Sequence, residues 1–586
     1  MFDSTGQIDV LACENSYHPV VHGASCDRVA ADTVRALPHG VRLALSRARA
    51  VALRAQVAFR VVPAKLEGKA VTAPPRPTRT QPVPLATLAA RAEAGLSTPR
   101  GSATSGTPVS DVAVTGATLR AQHVLPGDLF AALPGARAHG ADFTTQAAEA
   151  GAVAVLTDAA GAQRPAVLAA GLPVLVHPDP RAALGPVAAW IYGEPSLALS
   201  VLGVTGTSGK TTTSYMVESG LAAAGRTTGL IGTVETRIAG ARIASAFTTP
   251  EAPDLQALLA VMLERGVTHV PMEVSSHALR LGRVAGTRFA VGAFTNLSQD
   301  HLDFHPDMED YFQAKSLLFD GRSAAEVVCV DGEWGRRLVT PDTVTVATTG
   351  PAGWTASDVR VSLSGEQSFV IHTPDGRVLP ATLPMPGTFN IANALVAAAV
   401  LDATDVPVEA IVAGLAAVQV PGRMERVALG QDFTAVVDYS HKPEAVAVAL
   451  DAMRARTDGK VIAVLGCGGD RDTAKRPLMG AAAARRSDLL VVTDDNPRSE
   501  DPAAIRAAMR AGAEGVPRAE RGEVIDIGDR RQAIATAVAR ATAGDVVVIA
   551  GKGHESGQEV AGVVHPFSDR DELEAAIRER LGPVTG

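Results

Sequence analysis

The chain has 586 residues, and at about 150 residues per domain this length predicts three or four domains. Hydrophobic residues make up 46% and charged residues 20%, as in an ordinary globular protein. The formal net charge of −8 is mild, so we expect no nucleic-acid partner bound by a basic face. No stretch approaches the roughly 20 consecutive apolar residues that span a bilayer, and the start lacks a signal-peptide pattern. We therefore expect a cytoplasmic protein without membrane insertion.

Residues 1–80 lack the pattern of a folded domain, because they show little apolar periodicity and run into the proline-rich segment 73–84. This composition predicts a disordered tail or linker. The segment from Val71 resembles a natural polar N-terminus, which favours a start assigned too early. A real disordered arm that binds a partner is the alternative, and composition does not separate the two. We expect the residues before Val71 to be dispensable.

From residue 85 onward, apolar runs alternate with helical patterns, which predicts an α/β protein with mostly parallel sheets covered by helices. We expect a small α/β domain over residues 81–196, a central domain over 197–420 and a second doubly wound domain over 421–586. The runs that predict strands are Ala152–Thr157, Pro173–His177, Leu197–Val204, Ala435–Asp438, Val461–Leu465, Leu489–Thr493 and Val546–Ala550.

The strongest local signal is the glycine-rich segment Gly203–Thr213, which follows an apolar strand and precedes a helical pattern. The backbone N–H groups of such a loop and the helix N-terminus bind phosphate. Lys210 can reach the β- and γ-phosphates, and Thr211 can hold Mg²⁺. The general phosphate-loop pattern requires glycine where Val204 stands, so a coincidental glycine-rich turn is the alternative. The residues predicted to bind a nucleotide here are Gly206, Thr207, Ser208, Gly209, Lys210, Thr211 and Thr212.

Three further segments are candidates for a polar site. Glu273 follows a strand-like run, where a carboxylate can be a second Mg²⁺ ligand or a helix cap. The segment Thr295–His305 holds two histidines and two carboxylates within six residues, which fits an active site and a solvated loop equally well. Lys315 lies among apolar residues of the predicted helix Tyr311–Phe319, and by itself this pattern indicates a snorkelling lysine.

Taken together, these segments resemble the Mur ligase family, over roughly residues 85–580. The motifs that carry the resemblance are Thr-Gly-Thr-x-Gly-Lys-Thr, Thr-Thr-Pro, Glu-Val-Ser-Ser-His, Thr-Asn-Leu-x-x-Asp-His-Leu-Asp, Gly422-Arg423-Met-Glu425, Gly468-Gly-Asp470-Arg471-Asp472 and Gly551-Lys-Gly-His554-Glu555. The resemblance implies an N-terminal UDP-binding domain, a central ATP-binding domain and a C-terminal Rossmann-like domain. It also implies amide-bond formation through an acyl-phosphate.

Within this family the motifs match best the MurE branch, which adds meso-diaminopimelate to UDP-MurNAc-L-Ala-D-Glu in peptidoglycan synthesis and uses ATP. Lys315 matches a lysine that is carbamylated in these enzymes, and carbamylation converts a cation into an anionic Mg²⁺ ligand. The resemblance therefore implies Mg²⁺ held by Thr211, Glu273, His301 and carbamylated Lys315. It assigns catalysis to Lys210, Glu273, His301 and Lys315, and adds Asn296, Asn393 and Arg423 to the ATP site. We expect a monomer.

The resemblance also assigns the two other substrates. Thr248, Thr249, Ser275 and Arg283 match contacts to the UDP-sugar dipeptide. The family's Asp-Ser-Arg at the uridine site is here Arg120-Ala121-Gln122, so Ala121 replaces the serine, and a family glutamine before Arg283 is Leu281.

Asp495-Asn496-Pro497-Arg498 resembles the meso-diaminopimelate motif, whose arginine the lysine-adding relatives lack. Arginine binds a carboxylate bidentately, and meso-diaminopimelate carries one carboxylate more than lysine. The residues that complete the predicted amino-acid site are Arg471, Gly551 and Glu555.

Two other functions remain open at the level of sequence. Folylpolyglutamate synthase shares the phosphate loop and central fold, but it should lack the N-terminal domain and the Asp-Asn-Pro-Arg motif. A non-catalytic phosphate-loop module that binds nucleotide and switches partners would not need Glu273, Lys315, Arg471 and Glu555 together.

Overall fold

The computed structural model describes residues 75–98, 108–135, 137–243, 247–302, 304–362 and 366–582. The predictions made for residues 1–74 lie outside the described residues. The stretch Val71–Gly586 forms one compact unit. No helix in the described part of this unit is both long and apolar enough to cross a membrane.

The first part of the unit carries a five-stranded sheet. Its elements are β1 (Val83–Pro84), α1 (Leu85–Arg91), β2 (Gly95–Ser97), β3 (Ala113–Val114), β4 (Gly116–Thr118), β5 (Asp128–Ala131), α2 (Thr144–Glu149), β6 (Ala154–Thr157), α3 (Pro165–Ala170), β7 (Val174–Val176) and α4 (Pro180–Ile191). The strand order is β2-β7-β6-β5-β4, parallel except for β2, and β1 pairs with β3 separately.

The second part carries an eleven-stranded sheet. Its elements are β8 (Ser200–Thr205), α5 (Lys210–Ala223), β9 (Gly229–Ile231), β10 (Thr236–Ile238), β11 (Ala241–Ile243), α6 (Ala252–Glu264), β12 (His269–Glu273), α7 (Ser276–Arg280), β13 (Phe289–Phe294), α8 (Met308–Ser316), β14 (Ser323–Cys329), α9 (Glu333–Arg336), β15 (Val344–Ala347), β16 (Trp354–Val361), β17 (Gln367–His372), β18 (Val378–Leu383), α10 (Thr388–Asp402) and α11 (Val408–Ala417). The strand order is β11-β10-β9-β12-β8-β13-β14-β15-β16-β17-β18.

The third part carries a six-stranded sheet and a separate hairpin. Its elements are β19 (Glu425–Val427), β20 (Thr434–Asp438), α12 (Pro443–Arg454), β21 (Val461–Leu465), α13 (Lys475–Ala484), β22 (Leu489–Val492), α14 (Pro502–Glu514), β23 (Glu523–Asp526), α15 (Arg530–Arg540), β24 (Val546–Ala550), β25 (Gly557–Val560), β26 (Val563–Pro566) and α16 (Asp569–Leu581). The sheet order is β19-β20-β24-β21-β22-β23, and only β19 runs antiparallel to its neighbour. The prediction of an α/β fold with mostly parallel sheets is confirmed.

The central sheet is covered on both faces, which explains the unbroken apolar run of β8. Leu202 and Val204 belong to the apolar cluster that contains α5 and α10, whereas Val201 belongs to the cluster that contains α6. Side chains alternate between the two faces of a strand, so a strand buried on both faces is apolar at successive positions. The predicted start of this strand at Leu197 is three residues too early, because Pro195–Leu197 forms a 3₁₀ turn.

The contact between the five-stranded and eleven-stranded sheets, which we call the first seam, is close-packed. A Cβ atom on Gly185 of α4 would lie 2.4 Å from the carbonyl oxygen of Ala285, and one on Gly286 would lie 2.6 Å from that of Gly185. The apolar cluster of the first part also includes Ala257 and Ala260 of α6. Backbone therefore meets backbone at this seam, and one apolar core continues across it.

The contact between the eleven-stranded and six-stranded sheets, which we call the second seam, is polar. Lys442, just before α12, forms an ion pair with Asp300. Arg423 Nη2 donates to Thr211 Oγ1 at 3.4 Å. Among the described residues, no apolar cluster contains residues from both sides of this seam.

The end of the proline-rich segment makes specific contacts. Arg76 pairs with the buried Asp128 at 3.1 Å and contacts the hydroxyl of Tyr192. The backbone N–H of Thr78 donates to Glu264 at 3.0 Å. Residues 76–78 therefore bind to both the first and second parts of the unit.

Candidate active site

The candidate site lies at the carboxyl edges of the two larger sheets. In the eleven-stranded sheet, β12, β8 and β13 are parallel neighbours. Their carboxyl ends lead into Glu273, the phosphate loop and Thr295, so these segments lie side by side. In the six-stranded sheet, β22 and β24 likewise lead into the segments that begin at Asp495 and Gly551. The second seam joins these two edges.

The phosphate loop has the tight backbone that the sequence predicted. Gly206 and Gly209 have φ values of 147° and 86°. A Cβ atom at Gly206 would lie 2.0 Å from Thr295 Oγ1, and one at Gly209 would lie 2.3 Å from Asn393 Oδ1. Glycine is therefore required at both positions by conformation and by space.

Asn296 fixes the middle of this loop from the neighbouring strand end. Its Oδ1 accepts from the backbone N–H of Ser208 at 3.0 Å, and its Nδ2 donates to the Ser208 carbonyl at 3.1 Å. Its own carbonyl accepts from the N–H of Thr207 at 2.9 Å. These bonds explain why Asn296, predicted to bind ATP, lies beside the loop.

Two lysines converge on one carbonyl of the loop. Lys210 Nζ and Lys315 Nζ each donate to the oxygen of Gly206 at 2.8 Å. Burial lowers the pKa of Lys210 to about 8, while the carboxylate of Glu273 opposes that change. Lys210 Nζ thus lies at the phosphate loop and contacts two of its carbonyl oxygens, those of Gly206 and Thr207.

Lys315 is only 1% exposed, and its Nζ lies 4.5 Å from the ring centre of Tyr311. The interpretation of Lys315 as a snorkelling lysine is therefore wrong, because the chain of α8 holds it under the phosphate loop. Burial, followed by the charge of Lys210, lowers the pKa of Lys315 well below its usual value. An uncharged amine is the nucleophilic form of lysine.

Glu273 is held at the end of β12 and does not cap a helix. It is 1% exposed and accepts from the backbone N–H of Thr233 at 2.8 Å and from its hydroxyl at 3.0 Å. Helix α7 is capped instead by Ser275, whose Oγ accepts from the N–H of Ala278 at 3.1 Å. The helix-cap alternative for Glu273 is therefore wrong.

The histidine-rich segment divides into a structural part and a part that faces the site. His305 is fully buried between Asp310 at 2.7 Å and Ser276 at 3.1 Å, which fixes the loop. His301 has a φ of 54°, and its Nε2 lies 3.1 Å from Asp300 Oδ2. Since left-handed backbone is rare outside glycine, the strained residue marks His301 as the one to test for function.

Four of the residues predicted to bind the UDP-sugar dipeptide form one network with Glu273. Thr248 Oγ1 lies 2.9 Å from Thr233 Oγ1, and Thr249 Oγ1 donates to the Glu273 carbonyl at 2.8 Å. Ser275 N donates to Thr249 Oγ1 at 3.2 Å, and Arg283 Nη1 donates to the Thr249 carbonyl at 3.2 Å.

Ala121 lies apart from this network, because it is 5% exposed within an apolar cluster of the first part. Its neighbour Arg120 crosses the first seam and pairs with Asp254 at 3.4 Å. Arg120 and Arg283 both lie over the ring of Phe247, at 5.8 Å and 5.1 Å.

The predicted amino-acid site forms a second network on the six-stranded sheet. Asn496 Nδ2 donates to Glu555 Oε2 at 2.8 Å. The fully buried Lys552 donates to Asn496 Oδ1 and Glu555 Oε2, both at 2.9 Å. A Cβ atom on Gly551, whose φ is 114°, would lie 2.6 Å from Asp495 Oδ2. Pro497 and Arg498 continue the same loop.

Arg498 is held on two sides of its guanidinium. Nη1 donates to the Gly469 carbonyl at 2.6 Å, and Nε lies 3.4 Å from Glu559 Oε2. Its backbone has a φ of 54° and bridges to Val560 of the hairpin. Arg471 is exposed two residues beyond Gly469, on the loop that Arg498 binds.

The residues around the phosphate loop fit Mg²⁺ bound together with a nucleotide. Among the described residues, no group of three or more His, Cys, Asp or Glu side chains could hold a metal by itself. Mg²⁺, however, commonly uses one or two carboxylates together with substrate phosphates. Glu273 and Thr211 supply oxygen donors at the sheet edge that carries the loop. The donor set therefore suits a metal that arrives with the nucleotide.

Sequence reasoning missed three residues of the site. Thr233 binds both oxygens of Glu273, and nothing in Gly232-Thr233-Val234 signals this role. Lys552 lies within the motif Gly551–Glu555, and its position between Gly551 and Gly553 could have indicated a role in the site. Lys442 forms the ion pair at the second seam, and its partner Asp300 lies 142 positions earlier in the chain.

The fold and the paired edges define an α/β protein with a phosphate loop at the edge of one mostly parallel sheet and the polar loop Asp495–Arg498 at the edge of a second. Family models agree: "Mur ligase family, catalytic domain" matches residues 113–192, "Mur ligase middle domain" matches 204–401 and "Mur ligase, glutamate ligase domain" matches 422–553. A relative from Streptomyces coelicolor is 55% identical over 516 residues, which cover 87% of this chain and 99% of the relative. It is named UDP-N-acetylmuramoyl-L-alanyl-D-glutamate–2,6-diaminopimelate ligase. The chain therefore belongs to the Mur ligase family.

Solved structures show the same fold. A structure named for the same 2,6-diaminopimelate ligase activity covers 82% of this chain and 97% of its own, with 29% identity and a TM-score of 0.60. A folylpolyglutamate synthase from Mycobacterium tuberculosis, solved with ADP and AMPPCP, covers 63% of this chain with 20% identity and a TM-score of 0.51. The similarity to the folylpolyglutamate synthase concerns the fold alone, and it covers less of this chain than the similarity to the diaminopimelate ligase.

Proposed function

We propose that this chain is an ATP-dependent ligase that joins meso-diaminopimelate to the D-glutamate γ-carboxylate of UDP-MurNAc-L-Ala-D-Glu, with release of ADP and phosphate. The observation that supports the proposal is that two polar networks lie at the two sheet edges that meet at the second seam. One network surrounds a phosphate loop, and the other contains Glu555 beside the loop of Arg498, an anion and a cation that suit the charges of a zwitterionic amino acid. The name of the 55% identical relative supports the same substrates.

The proposed reaction proceeds in two steps. The γ-phosphate of ATP lies on the loop Gly206–Thr212 beside Lys210, and an oxygen of the D-glutamate γ-carboxylate attacks its phosphorus, which releases ADP. The amine of meso-diaminopimelate then attacks the acyl carbon, loses a proton and expels phosphate. Chemistry of this kind depends on positioning and on charge neutralisation.

Residues of this chain are assigned to those tasks as follows. Mg²⁺, held by Thr211, Glu273, His301 and carbamylated Lys315, would supply positive charge beside the phosphates. Thr248, Thr249, Ser275 and Arg283 position the dipeptide, whose carboxylate then lies next to the loop. Arg498 binds the distal carboxylate of meso-diaminopimelate, and Glu555 binds its distal ammonium. Closing of the second seam excludes water from the acyl-phosphate.

The direct test is ADP release by the purified full chain with ATP, Mg²⁺ and UDP-MurNAc-L-Ala-D-Glu. We expect ADP and a tripeptide product with meso-diaminopimelate, little with L-lysine, and none when EDTA is in excess. A folate substrate with L-glutamate tests the folylpolyglutamate alternative in the same assay. Equal turnover with lysine, or turnover without metal, contradicts the proposal.

A further inference from the structure

The ion pair between Lys442 and Asp300 connects the two halves of the candidate site. Lys442 precedes Pro443, which begins α12, so its backbone is fixed by the helix start. The side chains of Lys442 and Asp300 are 20% and 18% exposed. The pair is therefore partly removed from solvent, unlike most surface ion pairs, which contribute little.

Asp300 has a second neighbour in the site. The same oxygen, Oδ2, that contacts Lys442 lies 3.1 Å from Nε2 of His301. At this distance the carboxylate acts electrostatically on the ring of His301, so an Asp300 side chain held in place by Lys442 favours the ring orientation that keeps Nε2 beside Oδ2. Lys442 is thus one contact removed from His301.

Lys442 also lies within electrostatic reach of the phosphate loop. Its charge contributes to lowering the pKa values of Lys210, Lys315 and His301. The second seam therefore brings a cation of the six-stranded part next to the lysines of the eleven-stranded part. Lys442 differs in this from Lys460, another lysine of the six-stranded part, which lies at the amino-terminal ends of the strands.

We propose that Lys442 is a positioning residue of the ligase reaction: through Asp300 it orients His301, and it holds the six-stranded part against the phosphate loop in the reacting state. The inference rests on the proposed function. Lys442 acts through Asp300 rather than on a substrate, so its loss lowers kcat and leaves the KM for the amino acid within about twofold. Truncating one partner of a partly buried charge pair lowers kcat by about tenfold or more.

The experiment compares Lys442→Met, Lys442→Arg, Asp300→Asn and the double variant Lys442→Met/Asp300→Asn in the ADP-release assay. Lys460→Met is the matched control, because Lys460 is an exposed lysine at the amino end of β21. We expect a loss of kcat in Lys442→Met, substantial recovery in Lys442→Arg, and a double variant no slower than the slower single variant. Thermal unfolding midpoints identify any variant that fails to fold, in which case Lys442→Gln replaces Lys442→Met.

A second readout does not depend on activity. Hydrogen–deuterium exchange of the peptides that contain residues 206–212 and 438–443 should rise together in Lys442→Met and stay unchanged in Lys460→Met. Wild-type kcat in Lys442→Met, strictly additive losses in the double variant, or unchanged exchange overturns the inference. An inactive wild-type chain would instead refute the proposed function, so the two failures are distinguishable.

Discussion

At the first seam Gly185 and Gly286 approach each other backbone to backbone, whereas at the second seam the contacts described above are made by Lys442, Asp300, Arg423 and Thr211. Close-packed apolar contacts are lost when such a seam opens, because water does not replace them. Charged and hydroxyl groups regain hydrogen bonds to water, so a polar seam opens at much lower cost. The first seam is therefore the contact that opens at the greater cost, while the second can take part in turnover.

This difference separates two kinds of mutational effect. Substitutions of site residues near the second seam should lower kcat or kcat/KM and leave the free energy of unfolding nearly unchanged. Substitutions in the first seam should lower the free energy of unfolding and leave kcat nearly unchanged.

Lys315→Ala should give the largest loss of activity. The side chain is buried against the phosphate loop and is proposed to become an anionic metal ligand as its carbamate. Removing one preorganised electrostatic group commonly costs about 10²- to 10³-fold in kcat. Partial recovery with short carboxylic acids would support the carbamate. A bare ammonium in an electron-density map from a crystal grown with Mg²⁺ and bicarbonate would count strongly against it.

Arg498→Ala should reduce kcat/KM for meso-diaminopimelate and weaken the preference for meso-diaminopimelate over L-lysine. Because the Arg498 side chain is 24% exposed, we expect a loss near the lower end for a buried charge pair, about 2 kcal/mol or roughly 30-fold in kcat/KM. Arg510→Ala is the matched control, since Arg510 pairs with Glu514 on the surface of α14. Unchanged efficiency with meso-diaminopimelate would remove Arg498 from the proposed site.

Gly286→Ala should destabilise the fold without slowing the reaction. The added Cβ would lie 2.6 Å from the Gly185 carbonyl, while Gly266 has a similar φ of 75° and nothing within 4 Å of such a Cβ. Comparing the two alanine variants therefore cancels the left-handed strain and leaves the clash. We expect Gly286→Ala to lower the free energy of unfolding by about 1–3 kcal/mol more than Gly266→Ala, measured in urea. Equal losses of the free energy of unfolding in the two variants would contradict this prediction, because the first seam would then accommodate the added methyl group.

The phosphate loop and the main strands could be predicted from sequence because their signals are local. Gly209-Lys210-Thr211 and the apolar runs of β21 and β24 each lie within a few consecutive residues, and the observed bounds of both strands match the predicted ones. The end of helix α1 at Arg91 could not be predicted in this way, because Glu93 adopts a φ of 52° that no local sequence pattern indicates.

The missed contacts depend on sheet order, which one sequence does not specify. Thr233 meets Glu273 across 40 positions because β9 lies beside β12, with Ile231 opposite Met272. Lys442 contacts Asp300 across 142 positions because segments that follow strands of two separate sheets meet at the second seam. The order of the strands decides which polar groups share a site, and the hydrophobic periodicity of the sequence does not reveal that order.

The smallest expected effect is the response of the second seam to salt. Ion pairs that reach solvent are screened as the Debye length falls from about 10 Å at 0.1 M to about 3 Å at 1 M. The Lys442–Asp300 pair is about one-fifth exposed, so screening should act on it only in part. Between low salt and about 0.5 M choline chloride, which avoids competing metal ions, we expect kcat of the wild type to fall about twofold to threefold.

The same addition of salt should leave the kcat of Lys442→Met nearly unchanged, because that variant has no pair left to screen. The urea midpoint of the wild type should also change little, since the first seam is held by close packing at Gly185 and Gly286. A parallel fall of the rate at a fixed, subsaturating ATP concentration in both proteins would place the salt effect on ATP binding, where the phosphate charges are also screened. Measuring KM for ATP at each salt concentration separates these cases, since screening at the seam changes kcat and screening at the phosphates changes KM.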